Sequence, residues 1–333
     1  MIAKRKTPQI IGETEIANRL GEFGKIRHPH NELKMIHRVI DGARAEVIQR
    51  RAEMAEKREK YPHLTIKVDP LPVIAVIGPS GASKSHIVKT YQEQVCANEN
   101  WARGIKKVID FELSVDATKR QFQVDALTAL GDPDPEKGTE PMLRRRVSKL
   151  AQGQETELGF VDEVQHFIES DTQKKARSVA DAMKKTVNSG VYALVLLGTE
   201  KADAIFESNQ ELAQRVSKRF DLRGAREDVP EEMDLFISFL STFRSEIEKR
   251  NVIGSAKALE TPETVGALFA QVTGRLGTAQ RVMKAALRVA LERGANALLP
   301  AHFAIAIRQG KLLFDFQENA FEQFAADLDK ECD

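Results

Sequence analysis

Residues 78–85 read Gly-Pro-Ser-Gly-Ala-Ser-Lys-Ser and follow directly on the apolar run Pro72–Ile77. A phosphate-binding loop has the spacing Gly, four residues, Gly-Lys-[Ser/Thr]. Gly78, Lys84 and Ser85 fall in that register, and Ser83 stands where the second glycine belongs. A short apolar strand that opens through glycine into a helix aims backbone N–H groups at one point, and the positive end of the helix adds to them. Gly78, Pro79, Ser80, Gly81, Ala82, Ser83, Lys84, Ser85 and His86 are therefore the candidate cradle for the phosphates of ATP. In such a loop the lysine reaches the β- and γ-phosphates and the hydroxyl that follows ligates Mg2+. If the backbone at Ser83 needs a positive φ, a residue other than glycine costs roughly 1–2 kcal/mol there. The expected effect is weaker nucleotide affinity, not its loss.

Outward from the loop, short apolar runs alternate with helical patterns. Val73–Ile77, Val108–Leu113, Leu158–Asp162, Tyr192–Gly198 and Phe220–Leu222 are the strand candidates. Val73–Ile77 and Tyr192–Gly198 are continuously apolar, as in strands buried on both faces of a parallel sheet. Helices are expected to begin near Ser83, Asp116, Thr139, Asp171 and Ala202. This alternation predicts an α/β fold. Beyond residue 226 strand signals cease, and helical periods cover Glu231–Arg250, Pro262–Thr273, Gly277–Arg293 and Pro300–Leu313.

The third strand candidate ends in Asp162-Glu163. A buried strand that delivers two carboxylates at its C-terminal edge puts them where ligands bind in open α/β sheets. Asp162 is the candidate for the Mg2+ shell with Ser85, and Glu163 for a general base that polarises water. The fourth strand runs out into Thr199, which could orient that water or cap the helix that follows. Arg215 and Arg219 are four apart, a spacing that would share a helical face, and either could reach a neighbouring copy's phosphate. Arg275, in Thr273-Gly274-Arg275-Leu-Gly277, opens a helix and could fold back onto a nucleotide.

Composition narrows the class. Fifty Lys/Arg against 49 Asp/Glu leave a net charge of +1, so nucleic-acid binding has to come from local patches. Residues 1–50 hold ten Lys/Arg against six Asp/Glu, whereas the tail Asp315–Asp333 holds seven acids and one lysine, with Phe316, Phe321 and Phe324 spaced along it for a protein partner. Cys96 and Cys332 make no disulfide framework and no metal spacing, which points to a reducing cytoplasm. No apolar run is long enough to span a bilayer, so no membrane partner is expected.

Together these elements resemble an AAA+ ATPase over residues 30–313. They match its Walker A (Gly78–Ser85), Walker B (Phe160–Glu163), sensor 1 (Thr199), arginine finger (Arg219 or Arg215) and sensor 2 (Arg275). Within that superfamily the chain is similar to the TniB/TnsC transposition regulators. The likeness rests on Ile26-Arg-His-Pro-His30, on Phe160-Val-Asp-Glu-Val-Gln-His166, and on Val195-Leu-Leu-Gly-Thr199. Ser83 departs from the pattern of both. The resemblance implies a parallel five-stranded P-loop core flanked by helices, with an all-helical C-terminal lid. It divides the chain into a basic extension (1–45), the core (46–225), the lid (226–314) and the acidic tail (315–333).

The activity so implied is ATP hydrolysis that controls assembly on duplex DNA as a head-to-tail ring or filament, linking a TniQ-like target selector to transposase subunits. Thr118, Lys119, Arg120, Lys174, Lys175 and Arg177 are the candidates for phosphate contacts, with Arg144-Arg145-Arg146 a further basic cluster. Two other readings stay open. One is a different DNA-associated AAA+ protein, initiator- or clamp-loader-like. The other is a nucleotide-binding scaffold with little hydrolysis.

Overall fold

The computed structural model describes residues 11–28, 31–64, 66, 69–98, 104–114, 118–165, 173–309 and 318–327. In chain order the elements are α1 (Glu13–Phe23), α2 (Asn31–Lys60), β1 (Val73–Ile77), α3 (Lys84–Asn98), β2 (Val108–Glu112), α4 (Lys119–Leu130), α5 (Glu140–Gly153) and β3 (Leu158–Asp162). They continue with α6 (Gln173–Asn188), β4 (Ala193–Gly198), α7 (Asp203–Ser208), α8 (Gln210–Ala213), β5 (Val216–Asp221), α9 (Pro230–Lys249), α10 (Pro262–Val272), α11 (Leu276–Glu292) and α12 (Pro300–Arg308).

The chain divides into two compact units. The α/β unit comprises Asn31–Ser80 and Lys84–Leu222. Its five strands pair in the order β2-β3-β4-β1-β5, all parallel. β1 and β4 are buried along their whole length, which explains their unbroken apolar sequences. Central β1 leads across α3 to β2 at the far edge, and the chain then returns through β3 and β4. The C-terminal end of β1 is therefore a topological switch point, where an open α/β sheet takes its ligand.

β5 differs from expectation. The sequence suggested Phe220–Leu222, with Arg215 and Arg219 on one helical face. Instead Val216–Asp221 is the edge strand beside β1, so the two arginines share no helix face. In this edge strand Phe220 is buried and Val216 partly so, while Ser217, Lys218, Arg219 and Asp221 are exposed, and no continuous apolar run marks it. α2 is also one helix that passes residue 45 unbroken, with the charged stretch Glu46–Lys60 as its second half.

The helical unit comprises residues 1–30, the loop tip Gly81–Ser83 and Arg223–Asp333. Its core is aromatic. Phe239 and Phe243 lie 4.6 Å apart, Phe236 meets Phe269 edge-on at 5.1 Å, and Phe303 stacks on Phe321 at 4.8 Å. Ile16, Leu20 and Phe23 of α1 join this core at helical spacing. Phe321 is completely buried and Phe324 packs beside it. The expectation that both await a partner protein is thereby corrected, since they complete the helical unit. Phe316 lies outside the described residues. Among the described residues no helix is long and apolar enough to cross a membrane.

Candidate nucleotide site

Within the α/β unit, the C-terminal sheet edge gathers the expected side chains. Lys84, the first residue of α3, is buried, and its ammonium donates to the carbonyls of Gly78 (2.7 Å) and Pro79 (3.1 Å). The Ser85 hydroxyl donates to Asp162 Oδ2 at 3.4 Å, so the two candidate cation ligands face one another. Burial, followed by repulsion from Glu163 and Glu112, pushes the Asp162 carboxyl above the usual carboxylate range, against the Glu163 N–H and Lys84. A divalent cation held by Ser85 and Asp162 would compete with that proton. Cation affinity should therefore fall as pH drops through the raised Asp162 pKa.

Glu163 directly follows β3, in the left-handed region at φ 54°. Its N–H donates to Asp162 Oδ1 at 2.8 Å, and its carboxylate accepts from the Gln165 side-chain amide. Gln165 is itself buried, and its Oε1 accepts the N–H of Thr199 at 3.0 Å. One amide thus ties the candidate base to the candidate sensor. This link was missed in the sequence, where Gln165 is one polar letter after a strand.

Thr199 occupies the N-cap position of the short 3-10 turn Glu200–Ala202, yet its side chain makes no capping bond. Its Oγ1 is buried without a hydrogen-bond partner. An unpaired buried hydroxyl costs about 1–3 kcal/mol. That cost argues against a capping role, and an orphaned hydroxyl at this edge fits a phosphate or its attacking water. Together with the facing Ser85 and Asp162, it makes the residues present a fit for a magnesium nucleotide.

In the helical unit the loop tip lies against the first turns of α11. Gly81 adopts φ 84°, and a Cβ there would stand 2.1 Å from Thr278 Oγ1 and 2.7 Å from an Arg281 guanidinium nitrogen. A Cβ on Gly277 would meet the Gly81 carbonyl at 2.6 Å and Ser83 Oγ at 2.9 Å. The arginine beside the tip is therefore Arg281, one turn beyond Gly277. Burial, with Arg275 adding repulsion, lowers its pKa. Arg275 itself caps α11 and donates from Nε to the Val272 carbonyl at 3.1 Å. Small residues at positions three and four before Arg281 were the available signal for a closely approached helix face.

Ser83 adopts φ 67°, the strained conformation that the missing glycine would tolerate. Because that strain belongs to the fold itself, Ser83→Gly is expected to stabilise the protein by up to about 1 kcal/mol. Thermal unfolding would test this, and an unchanged Tm would leave the serine without an energetic role.

The remaining candidates are dispersed. Pro79, Ser80 and Ala82 belong to the loop, and His86 lies half-buried in the first turn of α3. Arg219 donates to Asp221 at 2.7 Å and to Asp203 at 2.5 Å, and these two carboxylates raise its pKa. Arg215 is partly buried, with an unpaired Nε. Thr118 caps α4 by accepting from the Gln121 N–H at 3.2 Å. Lys119 is exposed, and Arg120 donates to the carbonyls of Glu136 and Gly138. Arg177 is exposed on α6, while the side chains of Lys174 and Lys175 lie outside the described residues. His28 bonds Thr242 at 2.9 Å and meets Phe239 edge-on within the helical unit, and Pro29, His30 and His166 are outside the described residues.

The family model for the bacterial TniB protein matches residues 35–223. No curated protein matches the chain. Among solved structures, the Aeropyrum pernix ORC2 protein in its ADPNP–ADP complexes is similar with a TM-score of 0.53 at 11% identity, over 81% of this chain and 67% of that one. Drosophila ORC bound to DNA gives a TM-score of 0.52 at 11% identity, over 94% and 70%. At such identities the likeness concerns the fold alone, and it agrees with an α/β P-loop core followed by helices.

Proposed function

Since the chain belongs to the bacterial TniB family, we propose that it is an ATP-hydrolysing AAA+ regulator of DNA transposition, which assembles on duplex DNA and links a TniQ-like target selector to the transposase. The observation that carries this reading is the convergence of Lys84, Ser85, Asp162, Glu163 and Thr199 at one sheet edge. Bound ATP would supply the scissile phosphoanhydride, and Mg2+ the neutralisation of its charge. Lys84 contributes a buried ammonium, Ser85 and Asp162 the cation ligands, and Glu163 a proton acceptor held beside Thr199.

Arg219 is the proposed group offered to a neighbouring copy. Its exposed position on the edge strand suits that role, and releasing it would break its pairs with Asp203 and Asp221. A site completed by a neighbour's arginine makes the interface heterologous, which gives rings or open helices. Thr118, Lys119, Arg120 and Arg177 remain the proposed contacts to the DNA backbone. Drosophila ORC, a protein of similar fold, has been seen bound to DNA, which is compatible with such a partner.

Electron microscopy of the protein with duplex DNA under ATP, a non-hydrolysable analogue and ADP tests the proposal. Rings or helices on DNA with ATP or the analogue, lost with ADP, are the expected result. Nucleotide-independent binding, or no assembly, would overturn it.

A further inference from the structure

At the opposite, N-terminal edge of the sheet a cleft of about 410 Å3 opens among α4, α5, α6 and the residues leading into β4. Tyr192, on its wall, immediately precedes β4, whereas Thr199 follows that strand. Six residues at ~3.3 Å each separate the cleft from the nucleotide edge by roughly 20 Å. Arg144, Arg145, Lys149 and Lys185 line it, and no carboxylate does. Arg144 faces Glu140 at 3.7 Å, but Arg145, Lys149 and Lys185 have no ion pair among the described residues.

In a chain of near-zero net charge this local excess of cations needs a reason. Exposed lysines on a solvated helix would be one. Two buried groups in the same cleft argue against it. The Gln123 side chain is fully buried, and neither its amide nitrogen nor its oxygen has a hydrogen-bond partner. Tyr192 is fully buried as well, and its hydroxyl is equally unpaired. Leaving such groups unsatisfied costs about 1–3 kcal/mol each, so a partner for them is expected. The adjoining hollow beside α2, which shares Gln152 and Ser189 with the cleft, carries Glu155 and Glu157 among its cations and shows no such imbalance.

We infer that this cleft is a second anion site, which takes a phosphorylated ligand of nucleotide size. Its phosphates lie on Arg145, Lys149 and Lys185, and its uncharged polar part on the Gln123 amide and the Tyr192 hydroxyl. The volume falls within the range of small-molecule sites. The amide offers both a donor and an acceptor, as recognition of a nucleobase edge requires. Burial raises the Tyr192 pKa, so its hydroxyl remains a donor. The inference is independent of the proposed ATPase, because none of these residues belongs to that site.

Isothermal titration of the full chain carrying Lys84→Ala, which silences the phosphate loop, tests it with ADP and with pyrophosphate. One equivalent of ADP should still bind. Adding Arg145→Ala and Lys149→Ala, both at exposed positions, should weaken ADP and pyrophosphate at least tenfold. Gln123→Leu should weaken ADP more than pyrophosphate. If the phosphates belong instead to a polynucleotide backbone, the paired substitution leaves ADP unchanged. It then lowers duplex-DNA affinity and flattens the log–log salt dependence by about two charges. An unchanged response to ADP, pyrophosphate and DNA overturns the site, and Gln123→Leu raising Tm in that case marks a merely hydrated cavity.

Discussion

Replacing Glu163 by Gln is expected to slow ATP hydrolysis by ~10²–10⁴-fold, the usual worth of a general base, while nucleotide binding persists. The substitution keeps shape and hydrogen-bonding capacity and removes only basicity. Binding should survive because Lys84, Ser85 and the loop backbone are untouched. Glu163 is held on both sides, by Asp162 at its N–H and by Gln165 at its carboxylate, so the glutamine should occupy the same position. Phosphate release measured beside binding of a fluorescent ATP analogue separates the two properties. Undiminished turnover would remove Glu163 from the chemistry, and lost binding would make it structural. Under the proposed function the same variant should hold DNA-bound assemblies in the nucleotide state, seen as slower disassembly by light scattering.

Gln165 shows why part of this site was legible in the sequence and part was not. Gly78–Ser85 and Asp162–Glu163 carry their chemistry in local patterns, namely a strand, a fixed spacing and a polar terminus. Such patterns survive without knowledge of what lies across the sheet. The bond from Gln165 to Thr199 spans 34 residues and exists only because β3 and β4 are neighbours. Arg281 reaches the loop tip only through the close approach that Gly81 and Gly277 permit.

The helical face expected for Arg215 and Arg219 fails for a related reason. The i, i+4 spacing of Arg215 and Arg219 is real, but pairing with β1 sets the local conformation, and half-solvated edge strands lack the apolar run that marks central ones. Ile16, Leu20 and Phe23 had a legible helical spacing. Their core partners, however, lie more than 200 residues away in α9 and α11, so an apparent extension proved to be part of the helical unit. Phe321 is the same case at the other end of the chain.

Glu157→Ala should destabilise the α/β unit by about 3–5 kcal/mol, because it would leave the buried Arg44 charge without the Glu157 carboxylate. The two side chains are 9% and 4% exposed. Arg44 donates to Glu157 Oε2 from Nε at 2.8 Å and from Nη2 at 2.5 Å, and Lys107 stands 3.7 Å from the other carboxylate oxygen. Tyr91, beside Arg44, donates its hydroxyl to Asp41 at 2.6 Å. Glu157 immediately precedes β3, the strand that delivers Asp162, and Tyr91 sits on α3, the helix that begins with Lys84. The cluster therefore fixes α2 against the roots of the two elements that carry the nucleotide ligands. At 2–4 °C per kcal/mol for a unit of this size, the loss corresponds to a fall in Tm of roughly 6–20 °C. Faster amide exchange along α2 and α3 should accompany it. Pairing Arg44→Met with Glu157→Leu removes both charges and should restore most of the stability, since a buried ion pair replaced by apolar groups of similar volume is often neutral. A single variant no less stable than the parent, or a double variant no better than the single, would show that desolvated charge is not what holds α2 to the sheet.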